Sequence, residues 1–150
     1  MENKDLVLSW DDVYRDSLKL AKIISNEEIK FNAIAAITKG GLFPALIVAK
    51  YLKIDRVDTI CLRSYKKREQ GEVDIIKFPI MNLSQNWLII DDLTDTGNTI
   101  NEVNKFYKSI KNFYQPFSHY GVLYTKPAGH YVNHYVKKVE QNTWIVFPWE

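Results

Sequence analysis

Two adjacent carboxylates, Asp91 and Asp92, end the apolar run Trp87-Leu88-Ile89-Ile90, and Leu93-Thr94-Asp95-Thr96-Gly97-Asn98-Thr99 follows them. Alternation along a strand points neighbouring acids to different sides. A run of small, hydroxyl-bearing residues that opens a helix offers backbone N–H groups and the Thr96 and Thr99 hydroxyls, which suits a phosphate. Carboxylates repel a phosphate unless a cation or sugar hydroxyls stand between them. The pattern therefore points to a sugar phosphate, with the acids accepting from ribose hydroxyls or holding Mg²⁺. Asp91 and Asp95 would equally serve as plain caps of the turn and the helix. Other phosphate motifs are missing from the sequence: it has no G-x-x-x-x-G-K-[ST], no G-x-G-x-x-G after a strand, and no Asp-x-Asp at the strand end.

Such residues need strands and helices to hold them. Ser9 with Asp12 forms a capping pair, and Val13, Ser17, Leu20 and Ile24 repeat behind it at helical spacing. Ala33–Thr38 is a short apolar run ending in Lys39-Gly40-Gly41, which predicts a strand buried on both faces. A helix is expected over Leu42–Leu52, where Pro44 sits in the first turn. Strands are expected over Asp58–Ser64, Trp87–Asp91, Ser118–Thr125 and Tyr135–Glu140, and a helix through Ile100, Val103, Tyr107 and Ile110. Tyr65–Asp74 is polar and predicts a long exposed loop. This alternation gives an α/β class with a largely parallel, doubly wound sheet. Ligands then sit beyond the carboxyl ends of the strands, at Thr38–Gly41, Ser64–Asp74, Asp91–Thr99 and Thr125–Gly129.

The chain has 150 residues, 46% of them hydrophobic, which suits a single domain that buries about 70% of its unfolded surface. One cysteine, Cys61, excludes an intramolecular disulfide and is expected in the core. Twenty basic against 18 acidic residues give a net charge of +2, too even to demand nucleic acid as a partner. No signal peptide is read at Met1–Asp5, and no apolar run reaches the roughly 18 residues that span a bilayer. The expectation is a cytoplasmic protein, at most peripherally associated with a membrane.

Ile89-Ile90-Asp91-Asp92-Leu93-Thr94-Asp95-Thr96-Gly97-Asn98-Thr99 resembles the phosphoribosyl pyrophosphate (PRPP) signature of the type I phosphoribosyltransferases. Three further stretches resemble the short bacterial xanthine-guanine phosphoribosyltransferases. Ile37-Thr38-Lys39-Gly40-Gly41-Leu42-Phe43-Pro44-Ala45 is similar to their pyrophosphate loop, and Thr125-Lys126-Pro127-Ala128-Gly129 to their purine-contacting loop. Gln141-Asn142-Thr143-Trp144-Ile145-Val146-Phe147-Pro148-Trp149 is similar to their C-terminal purine hood.

The resemblance implies one phosphoribosyltransferase domain over 1–150, with the hood at about 126–150 and a flexible lid at about 64–76. It implies Mg²⁺-dependent transfer from PRPP to a 6-oxopurine (guanine, xanthine or hypoxanthine), giving a nucleoside 5′-monophosphate and pyrophosphate. Asp91 and Asp92 would bind the ribose hydroxyls, with Asp92 the Mg²⁺ contact. Asp95 would act as general acid or base near purine N7. Residues Asp95, Thr96, Gly97, Asn98 and Thr99 would cradle the 5′-phosphate. Lys39, Gly40 and Gly41 would form the pyrophosphate loop, presenting the Lys39-Gly40 backbone N–H through a cis peptide. Ser64 and Tyr65 would open the catalytic lid. Lys126, Trp144 and Ile145 would bind the purine. The family also suggests a homodimer or homotetramer, without integral membrane insertion and without nucleic acid.

The chain departs from the family pattern at Thr38-Lys39, at Asn98, at Val146 in place of an acidic residue, and at Glu150, where it stops without the tail of longer members. These bear on the choice between xanthine and guanine, not on PRPP. A non-catalytic regulator that senses PRPP or nucleotides and binds nucleic acid is the competing function. The cluster Lys66-Lys67-Arg68 would be its contact, but Glu69, Glu72 and Asp74 nearly cancel that charge. His130 and His134 have the spacing of a zinc pair but lack an evident third ligand. Trp10 and Trp87 are expected in the core or an interface.

Overall fold

The computed structural model describes residues 4–64, 73–79, 85–109, 118–129 and 131–150. In chain order the elements are β1 (Lys4–Val7), α1 (Trp10–Ser25), β2 (Ala33–Ile37), α2 (Leu42–Leu52), β3 (Arg56–Ser64), β4 (Val73–Lys77), β5 (Trp87–Thr94), α3 (Asn98–Ser109), β6 (Ser118–Thr125), β7 (His134–Lys138) and β8 (Thr143–Val146). Six strands form one sheet in the order β4-β3-β2-β5-β6-β7, parallel except for the antiparallel β3–β4 pair. A second, two-stranded sheet pairs β1 with β8 in parallel.

The sheet is apolar on both faces because helices cover both. Ile34, Ala36, Leu88, Ile90 and Leu123 meet Val13, Leu20, Ala21 and Ile24 of α1 and Ala45, Val48 and Ala49 of α2. Ala33, Ala35, Ile37, Ile60, Trp87, Ile89 and Val122 face the other way, toward Ile100 and Val103 of α3. Each large apolar side chain removed from water in this way contributes about 1.5–3 kcal/mol. The period of two continues past the core: Asp91 shares the parity of Trp87 and Ile89, and Asp92 that of Leu88 and Ile90. The acids therefore leave the strand on opposite faces, as alternation predicts.

Local signals fix the helices. Asp12 N–H donates to Ser9 Oγ at 3.0 Å and Ser9 N–H to Asp12 Oδ2 at 2.8 Å, a complete capping box for α1. Pro44 lies buried in the first turn of α2.

Five expectations shift. β3 begins at Arg56 and β5 runs on to Thr94, carrying both acids inside the strand. β7 covers His134–Lys138, a residue earlier at its start and two shorter at its end. The polar stretch after β3 is not loop throughout, because Val73 and Asp74 pair with Ser64 and Arg63. Cys61 is half-buried in β3 rather than part of the core. Trp87 is fully buried, and Trp10 is about half exposed with its ring 5.2 Å from that of Phe43. No helix among the described residues is long and apolar enough to cross a membrane.

Candidate active site

The carboxyl ends of β2, β5 and β6 lie side by side, so their following loops share one rim of the sheet. β5 and β6 are in register to their last residues, Thr94 opposite Thr125, and the two hydroxyls bond at 2.8 Å. Lys126 N–H then donates to Thr94 O at 3.0 Å. In-register parallel strands bring the next residues together as well: Lys126 Nζ donates to Asp95 Oδ2 at 3.1 Å. The lysine side chain is 4% exposed and the aspartate 44%, so a buried ammonium points outward at a reachable carboxylate. Buried charges persist only when paired, and Asp95 supplies the pair.

Asp91 and Asp92 stand two turns of the pleat earlier. Asp91 Oδ1 accepts from Asp92 N–H at 2.8 Å. Burial holds the Asp91 carboxyl well above the usual carboxylate range, and the neighbouring Asp92 charge adds to this. Burial also raises Asp92. Such a pair favours a ligand that delivers positive charge or hydroxyl donors. Residues 91–100 line a cavity of about 200 Å³ at the start of α3. Gly97 takes a φ of 81° in this loop, a left-handed conformation that glycine adopts at little cost. The first α-helical bond runs from Asn101 N–H to Gly97 O, and Thr96 Oγ1 accepts from Asn98 N–H at 3.4 Å.

The loop after β2 folds over the acids. Thr38–Lys39 is a cis peptide, one bond ahead of the Lys39-Gly40 step. Gly41 N–H is taken by Ile37 O at 2.8 Å, while Leu42 N–H donates to Lys39 O at 3.0 Å. Gly41 is thus fixed within the loop's own bonding, and no hydrogen bond among the described residues uses the Lys39 or Gly40 amide. Gly40 packs directly on the Asp92 carboxylate.

Among the residues expected to bind the purine, Lys126 lines a second cavity of about 400 Å³ with Thr125, Pro127, Tyr131, Tyr135 and Val139. Trp144 stands 62% exposed on β8 and Ile145 is buried beside it; neither lines that cavity. Ser64 ends β3, pairing with Val73; its side chain and all of Tyr65 lie outside the described residues, as do Lys66-Lys67-Arg68 and His130. No group of three His, Cys, Asp or Glu that could hold a metal exists among the described residues.

Gln141, to which the hood motif assigns no role, also reaches the loop after β5. Its Nε2 donates to Asp95 Oδ1 at 2.8 Å, and its Oε1 accepts from Ala128 N–H at 2.8 Å. A glutamine ahead of a tryptophan strand carries no chemical signal of its own, so the sequence could not single it out.

The sequence matches the phosphoribosyl transferase domain family over residues 5–150. This chain belongs to the phosphoribosyltransferase family. It is 43% identical to the xanthine-guanine phosphoribosyltransferase of Desulfotalea psychrophila, over 95% of this chain and 84% of that protein. It is 36% identical to the enzyme of that name from Chromohalobacter salexigens, over 99% of this chain and 85% of the relative. The crystal structure of a purine phosphoribosyltransferase from Pyrococcus horikoshii superposes with a TM-score of 0.80 at 28% identity, covering 97% of this phosphoribosyltransferase and 94% of that chain.

Proposed function

We propose that this phosphoribosyltransferase joins the phosphoribosyl group of PRPP to N9 of a 6-oxopurine, releasing pyrophosphate and a nucleoside 5′-monophosphate. The observation that carries the reading is the 3.1 Å pair between Lys126 and Asp95, set between the loop 91–100 and the hood loop Thr125–Gly129. An ammonium has three donors and no acceptor. One donor holds Asp95, and the others serve an acceptor at the purine 6-position. Asp95 then stands beside the base to take or return a proton at N7.

The remaining roles are those that the family resemblance implies. Asp91 and Asp92 accept from the ribose hydroxyls. Thr96, Gly97, Asn98 and Thr99 hold the 5′-phosphate at the mouth of α3. The Lys39 and Gly40 amides receive pyrophosphate, and Ser64 and Tyr65 begin the lid that excludes water. Trp144 stacks on the purine, and the Ile145 carbonyl accepts from a 2-amino group. Its exposed indole is free to take a planar ring.

Mg²⁺ fits this donor set. Two half-buried carboxylates with no cationic partner among the described residues are too few for an all-protein cage, but they match an ion that brings most of its ligands as water and phosphate oxygens. When bound with PRPP through Asp92, it neutralises charge on the departing pyrophosphate. The family's assemblies suggest a homodimer or homotetramer, and the exposed Trp10, Tyr14, Leu42 and Leu46 of α1 and α2 are apolar surface for one.

The test is Asp95→Asn assayed with saturating PRPP and guanine. The variant keeps size but offers one acceptor where the carboxylate offers two, and it loses the proton acceptor, so kcat falls by about 10²-fold or more while the KM for PRPP stays near that of the parent. An unchanged kcat removes Asp95 from proton transfer.

A further inference from the structure

Gln141 occupies a position that its exposure alone would not mark. Its carboxamide bridges two loops that no secondary structure joins: the turn Lys126–Gly129 after β6 and the signature loop after β5. Its Oε1 takes the Ala128 N–H at 2.8 Å. Its Nε2 donates to Asp95 Oδ1 at 2.8 Å and to the Asp95 carbonyl at 3.3 Å. The two ends are chemically distinct. An amide N–H needs a carbonyl oxygen and a carboxylate needs a donor, so only one orientation of the carboxamide satisfies both.

The consequence falls on Asp95. Lys126 holds Oδ2 at 3.1 Å from inside, and Gln141 holds Oδ1 from the β8 side. Each carboxylate oxygen thus has its own donor, from two different elements, and the plane of the group is set. Lys126 alone would leave the carboxylate free to turn about its Cβ–Cγ bond. Asp91 and Asp92 of β5 are the other acidic residues that line the cavity.

We propose that Gln141 is a positioning residue: it fixes the Asp95 carboxylate against the purine and latches the hood loop to the signature loop at the same time. This rests on the role of Asp95 proposed above. A reaction geometry held by two donors is lost when one is removed, and misplacement of a catalytic group by about 1 Å costs on the order of 10²-fold in rate.

Two variants separate the two halves of the bridge. Gln141→Glu keeps an oxygen for the Ala128 N–H but sets a second carboxylate against Asp95 Oδ1. Gln141→Leu loses all three bonds. The assay measures kcat and the KM for PRPP with guanine, beside PRPP binding by calorimetry. The expected result is a fall in kcat of about ten-fold or more in both variants, with PRPP binding within about two-fold of the parent. In the Asp95→Asn background, Gln141→Glu adds no further loss, because the group it would misplace is already gone.

A Gln141→Glu enzyme with parental kcat beside an impaired Gln141→Leu overturns the proposal, because the side chain then braces only the hood loop. Parental kcat in both variants also overturns it. If Asp95→Asn lowers kcat while these variants do not, the role of Asp95 survives and that of Gln141 fails. If Asp95→Asn is itself harmless, the reading beneath both fails.

Discussion

Gly40 lies directly against the carboxylate of Asp92: a Cβ added to Gly40 would overlap the Asp92 oxygens and stand 2.5 Å from its Cγ. The loop after β2 and the acid at the end of β5 are therefore one unit, closed by the absence of a side chain. A close approach of backbone to an acid is one of the few places where only glycine fits. Gly40→Ala is expected to push the Asp92 carboxylate aside and lower kcat/KM for PRPP by about 100-fold. The fold is expected to survive, since the loop is at the rim of the sheet. Steady-state kinetics and a thermal melt check this; unchanged kcat/KM would show that the packing has no bearing on PRPP.

Asp92→Asn tests the charge rather than the shape. An amide matches the carboxylate in size but cannot replace a charged metal ligand. The KM for PRPP is expected to rise more than the KM for guanine, and exhaustive chelation of Mg²⁺ is expected to abolish turnover of the parent enzyme. Full activity after chelation would contradict the metal's role.

In the proposed function, base choice depends on Lys126. Its ammonium offers donors only, so guanine, xanthine and hypoxanthine present a matching 6-oxo acceptor and adenine an opposing donor. A mismatched polar group in a desolvated site is rejected by as much as about 10⁴-fold. Lys126→Ala is expected to cut guanine turnover by about 10²-fold and to leave PRPP binding in place. Adenine used as well as guanine by the unmodified enzyme would remove Lys126 from the 6-position.

Far from this rim, His119 and His134 pack beside Phe31, with ring centroids 5.5 Å apart, and His134 Nδ1 lies 3.7 Å from Glu27 Oε1. Burial holds both imidazoles below their ordinary value of 6.5, and the Glu27 charge only partly opposes it. The unfolded chain therefore binds more protons than the native one below about pH 6.5, so stability rises with pH there. Thermal midpoints are expected to be level above about pH 7 and to fall as pH drops through 6.5. His134→Gln, which cannot titrate, is expected to flatten that slope. A midpoint that rises on acidification through this window would contradict the assignment.

Much of the candidate site is legible because its residues are contiguous in sequence. Asp91, Asp92, Asp95 and the residues to Thr99 lie in one run, and the same run shows the strand that carries them. Lys126 was legible only through resemblance, because a lone lysine after a strand looks like surface charge; register between β5 and β6 is what buries it. β1 and Gln141 were not legible. Lys4–Val7 is too short and too charged to show a strand, and its partner is β8 at the other end of the chain. β4 was hidden for a related reason, since its doubled Ile75-Ile76 breaks alternation at an edge. Non-local pairing leaves no local trace.

The most direct measurement incubates the purified protein with PRPP and Mg²⁺ and, separately, guanine, xanthine, hypoxanthine and adenine, then quantifies nucleoside monophosphate and pyrophosphate by chromatography. The predicted result is one monophosphate and one pyrophosphate per PRPP consumed with guanine, turnover with xanthine and hypoxanthine as well, and scarcely any with adenine. PRPP left intact with every base, beside RNA binding that weakens as salt rises, would contradict catalysis and leave a nucleotide-sensing regulator in its place.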